Sequence, residues 1–166
     1  ILRMNRLNLL FFIFLVLSIP SYSQHRVQIY HPEANALADL QQAIQKAAKE
    51  NKHVFVQIGG NWCPWCIKFH SFIHENAKVD SLLKADYIIC LVNYSKENKN
   101  QEVLKLLEYP QRFGFPVFVI LDKNGQRIHT QDSGLLESGE GYDEGKVIHF
   151  LRNWSPRAFD PSLYTL

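Results

Sequence analysis

The sequence predicts one α/β domain in which a central mixed β-sheet is flanked by helices on both faces. Strand-like and helix-like patterns alternate along the chain, which is typical of this class. The apolar run at residues 53–60 has the composition of a central strand covered on both faces. Two further strand-like runs surround Asn124-Gly125, a pair that favours a tight antiparallel turn.

The first half of the chain predicts four elements in order. Residues 26–30 have the composition of a short edge strand, and residues 33–51 follow as an amphipathic helix. Apolar residues keep helical spacing along that helix, at Leu37, Leu40, Ile44, Ala47 and Ala48. After the strand at 53–60, a helix is expected to begin at Cys63-Pro64 and to run to about residue 76, because proline suits the first helical position.

The second half predicts a short helical turn at 80–84, a buried strand at 87–94 and a helix near 102–107. The hairpin at 116–131 is expected to turn through positive backbone dihedrals at Asn124-Gly125. A glycine-rich acidic loop, 132–145, then leads into a last helix from about 143 to 154, and the tail 155–166 is predicted to be an ordered surface strap. We expect this loop to lie beside the groove that contains the functional site.

Residues 1–23 have the layout of a secretory signal peptide. Arg3 and Arg6 precede an apolar run at 7–19, and small residues follow it, so cleavage is expected before Gln24. The apolar run is shorter than the roughly 20 residues that a membrane span needs. We therefore expect a periplasmic or secreted protein with no stable membrane span after cleavage, and a retained anchor is the alternative.

Composition narrows the possible partners. The leader holds two of the 18 basic residues and none of the 16 acidic ones, so the remainder has no net formal charge. The sequence has no basic stripe or arginine cluster, which argues against nucleic acid as a partner. Of the three cysteines, Cys90 lies in an apolar run and is interpreted as a core residue. Cys63 and Cys66 form the remaining close pair.

Three interpretations apply to a Cys-x-x-Cys pair: a metal site, a structural disulfide or a redox centre. A permanent bridge would close so small a loop that it would restrain the unfolded chain little. His70 and His74 share the helix face of the cysteines, but Cys63 and His74 would lie about 16 Å apart along the axis, too far for one zinc ion. At a helix N-terminus, unpaired backbone N–H groups favour the Cys63 thiolate. Cys63 is then the expected nucleophile and Cys66 the resolving thiol.

The residues resemble the thioredoxin superfamily, in particular its exported bacterial members. The likeness rests on Trp62-Cys63-Pro64-Trp65-Cys66 after an apolar strand and on Phe115-Pro116 before a second one. It implies a thioredoxin-like fold over residues 37–154, with a 24–36 extension before it. It also implies a cis bond at Phe115-Pro116, whose backbone pairs with substrate like an added strand. The same likeness implies catalytic Cys63 and Cys66, and substrate contacts at Trp62, Trp65, Phe115 and Pro116.

Two positions depart from the family pattern. Gln57 stands where typical thioredoxins have an acid, and an amide cannot accept the proton of Cys66. Water, Glu75 or Lys68 are the candidate substitutes. Pro64-Trp65 replaces the usual Gly-Pro between the cysteines, and Trp65 is interpreted mainly as a hydrophobic docking residue for partner proteins.

The sequence therefore predicts an extracytoplasmic thiol-disulfide oxidoreductase that acts on protein dithiols or disulfides and exchanges electrons with a redox partner protein. No cofactor and no metal are expected. The alternatives are a binding module of the same fold, or a metal-binding protein, without redox turnover.

Overall fold

The structure is a computed structural model that describes residues 27–165. The expected signal peptide and its cleavage point lie outside the described residues. The helices are α1 (Ala36–Glu50), α2 (Pro64–Glu75), α3 (Ala77–Asp86), α4 (Gln101–Leu106) and α5 (Glu144–Asn153). The strands are β1 (His53–Gly59), β2 (Tyr87–Asn93), β3 (Val117–Leu121), β4 (Arg127–Asp132), β5 (Glu137–Ser138) and β6 (Gly141–Tyr142). None of the helices described has the length and apolar content needed to cross a bilayer.

The main sheet is mixed and has the strand order β2-β1-β3-β4. β1 runs parallel to β2 and antiparallel to β3, and β3 pairs antiparallel with β4. Every residue of β1 is buried, as expected for a central strand. The predicted α/β class with a central mixed sheet is confirmed.

Alternation along β1 divides the core between the two faces of the sheet. Val54, Val56 and Ile58 pack with residues of α1 and α4, whereas Phe55 packs with residues of α2, α3 and α5. Successive side chains of a strand point to opposite faces, so Gln57 lies on the same face as Phe55. This face carries α2, and Gln57 is therefore placed beneath the first turn of that helix.

Helix ends follow local capping chemistry. The Asn35 side chain accepts a hydrogen bond from the backbone N–H of Ala38 and begins α1. The Asn76 side chain accepts from the N–H groups of Lys78 and Val79 and begins α3. This cap extends α3 well beyond the short turn expected at 80–84, because it satisfies the free N–H groups of the first turn.

The prediction of an edge strand at residues 26–30 is wrong for residues 27–30, the part of that segment that the structure describes. Residues 27–30 join no strand, because the Asn61 side chain takes the place of a neighbouring backbone. Asn61 Oδ1 accepts from the N–H groups of Ile29 and Tyr30, at 2.9 and 3.0 Å, and Asn61 Nδ2 donates to the Tyr30 carbonyl at 2.8 Å. One side chain thus anchors this segment beside the start of α2.

The β3–β4 hairpin is confirmed, and its turn differs from the expectation only at Asn124. Gly125 has a positive φ of 83°, whereas Asn124 does not belong to the residues with positive φ. The backbone closes a tight turn, because the Gly125 N–H donates to the Asp122 carbonyl at 3.0 Å and the Asp122 N–H donates to the Gln126 carbonyl at 2.8 Å. The Asp122 carboxylate caps this turn by accepting from the N–H groups of Asn124 and Gln126. The expected tight turn is therefore present, with positive φ at Gly125 alone.

Candidate active site

Cys63 and Cys66 are joined by a disulfide at the first turn of α2. Cys63 is the N-cap residue, Pro64 occupies the first helical turn, and the Cα atoms of the cysteines are 5.3 Å apart. The backbone N–H of Cys66 donates to Cys63 Sγ at 3.2 Å. This N–H group and the positive end of the helix dipole would both stabilise negative charge on the Cys63 sulfur.

The disulfide is covered rather than exposed. Cys63 is 3% exposed and Cys66 is fully buried, in a cluster that also contains Tyr30. Ile29, Trp65, Leu91 and Phe115 pack around that cluster. The segment anchored by Asn61 therefore forms part of the wall around the two sulfurs.

The peptide bond between Phe115 and Pro116 is cis, as expected. Pairing of Ile58 with Val117 places this bond beside Gly59, close to the start of α2. The Phe115 ring stacks on Tyr94 with centroids 4.8 Å apart and meets Trp62 edge-on at 5.5 Å. Sequence positions more than fifty residues apart thus meet at one end of the sheet.

The two predicted docking tryptophans lie in different surroundings. Trp62 is 51% exposed, and its Nε1 donates to the Tyr94 carbonyl at 2.6 Å. Trp65 is half-buried, lies edge-on to Tyr142 at 5.6 Å and carries the Lys68 ammonium 4.6 Å above its ring. The loop 132–145 does border this site, because it supplies Tyr142 through the small β5–β6 hairpin.

Gln57 and Tyr30 lie beneath the disulfide. Gln57 is fully buried, and its Nε2 donates to Tyr30 Oη at 2.8 Å and to the Cys66 carbonyl at 3.2 Å. Burial raises the pKa of the Tyr30 hydroxyl far above its ordinary range. Tyr30 was not among the predicted site residues, and the only local signal for its burial was the set of apolar residues Val27, Ile29 and Tyr30 shortly before Pro32.

Lys68 and Glu75, the two side chains proposed to accept the Cys66 proton in place of an acid at position 57, lie away from Cys66. Lys68 Nζ donates to the Glu140 carbonyl at the surface. Glu75 is exposed and ends α2, nine residues beyond Cys66 and therefore about 14 Å along the helix axis. Neither side chain reaches the buried sulfur of Cys66.

The remaining titratable groups of the sequence analysis lie outside the disulfide cluster. His70 and His74 stack edge-on with centroids 4.5 Å apart, and burial lowers the pKa of His70. Within residues 27–165, no three His, Cys, Asp or Glu side chains converge as a metal site. Cys90 is a buried core residue, as expected, and burial raises the pKa of its thiol to about 12.

This sheet, with a Cys-x-x-Cys disulfide at the helix that follows its central strand and a cis-proline beside it, defines a thioredoxin-fold protein. Residues 35–123 match the family model described as thioredoxin-like, and the chain belongs to that family.

Solved structures show the same fold. A disulphide isomerase from Xylella fastidiosa Temecula1 superposes with a TM-score of 0.68 at 19% identity, over 76% of this chain and 96% of that one. A thioredoxin from Thermus thermophilus gives 0.51 at 21% identity, over 68% and 81% of the two chains. Both likenesses are at the level of the fold.

The chain also matches a curated protein, but only over a short stretch of sequence. Spermatogenesis-associated protein 20 of Mus musculus is 34% identical over 53 residues, which are 32% of this chain and 7% of that protein. The human protein of the same name matches over 6% of its length at 35% identity. This chain therefore corresponds to a small part of these relatives.

Proposed function

We propose that this chain is a thiol-disulfide oxidoreductase that exchanges disulfides with protein substrates outside the cytoplasm. The observation that carries the proposal is the Cys63–Cys66 disulfide at the first turn of α2, with the Cys66 N–H directed at Cys63 Sγ. A sulfur in this position is stabilised as a thiolate, which is the nucleophilic form. The leader-like sequence of residues 1–23 supports an oxidising compartment.

The exchange takes two steps. The Cys63 thiolate attacks a substrate disulfide, which forms a mixed disulfide with one substrate sulfur and releases the other as a thiolate. The Cys66 thiolate then attacks the Cys63 sulfur, forms the Cys63–Cys66 disulfide and releases the second substrate sulfur. The substrate gains two electrons and the protein loses two, and the reverse sequence oxidises a substrate dithiol.

Substrate contacts are proposed at Trp62, Trp65, Phe115 and Pro116. Trp62 presents an exposed ring beside Phe115 and the disulfide. The backbone at the cis bond lies just before the start of β3, where an extended substrate segment can add main-chain hydrogen bonds with little demand on its sequence. Recognition of this kind suits a protein that acts on many disulfides.

The test is a Cys66→Ser variant, which retains the proposed nucleophile and lacks the resolving thiol. Reduced Cys66→Ser protein incubated with a disulfide-bonded protein such as insulin is expected to accumulate mixed disulfides, seen as dithiothreitol-sensitive bands on non-reducing gels. Cys63→Ser is the matched control and is expected to form none. A clean Cys66→Ser monomer would count against the proposal.

A second candidate is a binding module of the same fold. The observation that favours it is the 3% exposure of Cys63, which leaves little of the sulfur open to a partner. A binding module would retain partner proteins equally in wild type and in a Cys63→Ser/Cys66→Ser variant. An oxidoreductase would lose its covalent complexes in that variant.

A further inference from the structure

The direction of the Tyr30 hydroxyl proton follows from its neighbours. One atom of the Gln57 amide lies within hydrogen-bond distance of both Tyr30 Oη and the Cys66 carbonyl. A carbonyl only accepts, so that atom is the amide nitrogen, and Tyr30 Oη accepts one of its two hydrogens. The proton of Tyr30 itself therefore requires a different acceptor.

The Cys66 sulfur and that hydroxyl belong to the same buried cluster and approach the same backbone position, Gly59. A Cβ added to Gly59 would come 2.4 Å from Cys66 Sγ and 2.9 Å from Tyr30 Oη. Sulfur and hydroxyl thus lie over the same α-carbon. Tyr30 is 1% exposed and Cys66 is fully buried, so in the disulfide state neither group faces bulk water.

The other titratable groups around Cys66 decide which role the Tyr30 hydroxyl can play. No Asp or Glu side chain in the described part of the chain is buried. The titratable groups around Cys66 include Cys63, Tyr30 and, on α2, His70 and Lys68, whose ammonium lies over the Trp65 ring. Tyr142 also faces this region, and its hydroxyl donates to the Trp65 carbonyl. Burial lowers the pKa of His70 and raises the pKa of Tyr30 far above its ordinary range, which keeps the Tyr30 hydroxyl protonated. Tyr30 is therefore a hydrogen-bond donor and not a base.

We infer that the Tyr30 hydroxyl donates a hydrogen bond to the Cys66 sulfur and stabilises its thiolate during resolution, in a chain where Gln57 replaces an acid. Water, the candidate acceptor that remains once Glu75 and Lys68 are out of reach, takes the Cys66 proton, and the thiolate then attacks the Cys63 sulfur as described above. Gln57 orients the hydroxyl from below. The kinetic part of this inference rests on the proposed disulfide exchange, whereas its effect on the Cys66 thiol does not.

The first test measures the pKa of Cys66 in a Cys63→Ser background, by ultraviolet thiolate absorbance against a Cys63→Ser/Cys66→Ser blank. Adding Tyr30→Phe is expected to raise that pKa by about one to two units, the range of a hydrogen bond to a charged group. Cys90 is present in both the protein and the blank, and burial raises the pKa of its thiol to about 12, so it does not contribute to the difference.

Tyr87→Phe is the matched control. It removes another buried hydroxyl, which donates to the Leu151 carbonyl at the far end of the sheet. An unchanged Cys66 pKa in Tyr30→Phe, or an equal shift in Tyr87→Phe, would overturn the inference. Should Tyr30→Phe fail to fold, 3,5-difluorotyrosine placed at position 30 retains the packing and strengthens the donor. It is then expected to lower the Cys66 pKa, and no change would be the overturning result.

The second test follows resolution directly, by stopped-flow release of thionitrobenzoate from an excess of its disulfide. The first equivalent reports attack by Cys63 and the second reports resolution by Cys66. Tyr30→Phe is expected to leave the first phase unchanged and to slow the second about threefold for each unit of pKa rise, since thiolate loss is partly offset by greater nucleophilicity. An unchanged second phase would overturn the role of Tyr30. A wild-type protein that releases no thionitrobenzoate would instead contradict the proposed function, and the pKa measurement would still test Tyr30.

Discussion

Replacing Gly59 with alanine is expected to disturb the disulfide environment directly. Gly59 is the last residue of β1, and both Cys66 Sγ and Tyr30 Oη lie close to its α-carbon. An alanine Cβ would lie 2.4 Å from the sulfur and 2.9 Å from the hydroxyl, well inside the contact distance of about 3.5–4.0 Å for non-bonded heavy atoms. Both neighbours are buried, so neither side chain has open space into which it can move.

The expected cost follows from this overlap. Overpacking of a filled core costs about 1–3 kcal/mol, and two simultaneous contacts place Gly59→Ala at about 2–3 kcal/mol. With a urea m-value of roughly 2 kcal/mol per molar, the unfolding midpoint is expected to fall by about 1–1.5 M. The disulfide is kept oxidised throughout, so that the two states differ only in folding.

The assay is urea unfolding followed by far-ultraviolet circular dichroism. Gly141→Ala is the matched control, because among the described residues no atom beyond its chain neighbours lies within 4 Å of the Cβ position. In a Cys63→Ala/Cys66→Ala background, which lacks the sulfur, the cost of Gly59→Ala is expected to fall by about 1 kcal/mol or more. A urea midpoint of Gly59→Ala equal to that of Gly141→Ala would show that the alanine Cβ does not overlap with Cys66 and Tyr30 as expected.

Two further substitutions test the surroundings of the site. Asn61→Ala removes the acceptor of the Ile29 and Tyr30 N–H groups, so hydrogen exchange of these two amides is expected to accelerate about fivefold or more; unchanged protection would show that Asn61 does not anchor the segment. Hydrogen bonding to Lys78 lowers the pKa of Glu144 below its ordinary 4.5, so this carboxylate supports the fold fully above pH 4.5 and loses its effect as the pH falls. Glu144→Gln is therefore expected to flatten the decline of the urea midpoint below pH 4.5, and parallel curves for the two proteins would contradict this.

Local signals predicted the elements that carry the sulfurs. The apolar run before Gly59 identified β1, and the Cys63-Pro64 pair identified the start of α2, because a helix begins where the backbone geometry of a few adjacent residues allows it. The end of α2 at Glu75 also lies close to the predicted one. These features depend on near neighbours in the chain, which the sequence displays directly.

Turn geometry and the N-terminal segment were harder to predict. Asn124-Gly125 favoured a tight turn with positive φ at both residues, whereas the turn that forms has positive φ at Gly125 alone and is capped by the Asp122 side chain. The apolar residues before Pro32 favoured a strand, but Asn61 satisfied their backbone groups. In both places a side-chain acceptor shaped the backbone, at the turn in addition to the backbone bonds and in the N-terminal segment instead of them, and residue type does not show which acceptor will be in reach.

The α/β class, the order of the central elements and the position of Cys63 at a helix start follow from the amino-acid sequence alone, since each depends on periodicity or on adjacent residues. The groups that lie beneath Cys66 are known only from the three-dimensional fold. Tyr30 reaches Gln57 across 27 positions of the chain, Gln57 donates to the Cys66 carbonyl, and the Tyr30 hydroxyl and the Cys66 sulfur both approach Gly59. Contacts between distant segments are set by how the layers of the fold pack together, and a hydroxyl placed by that packing leaves no pattern along the chain.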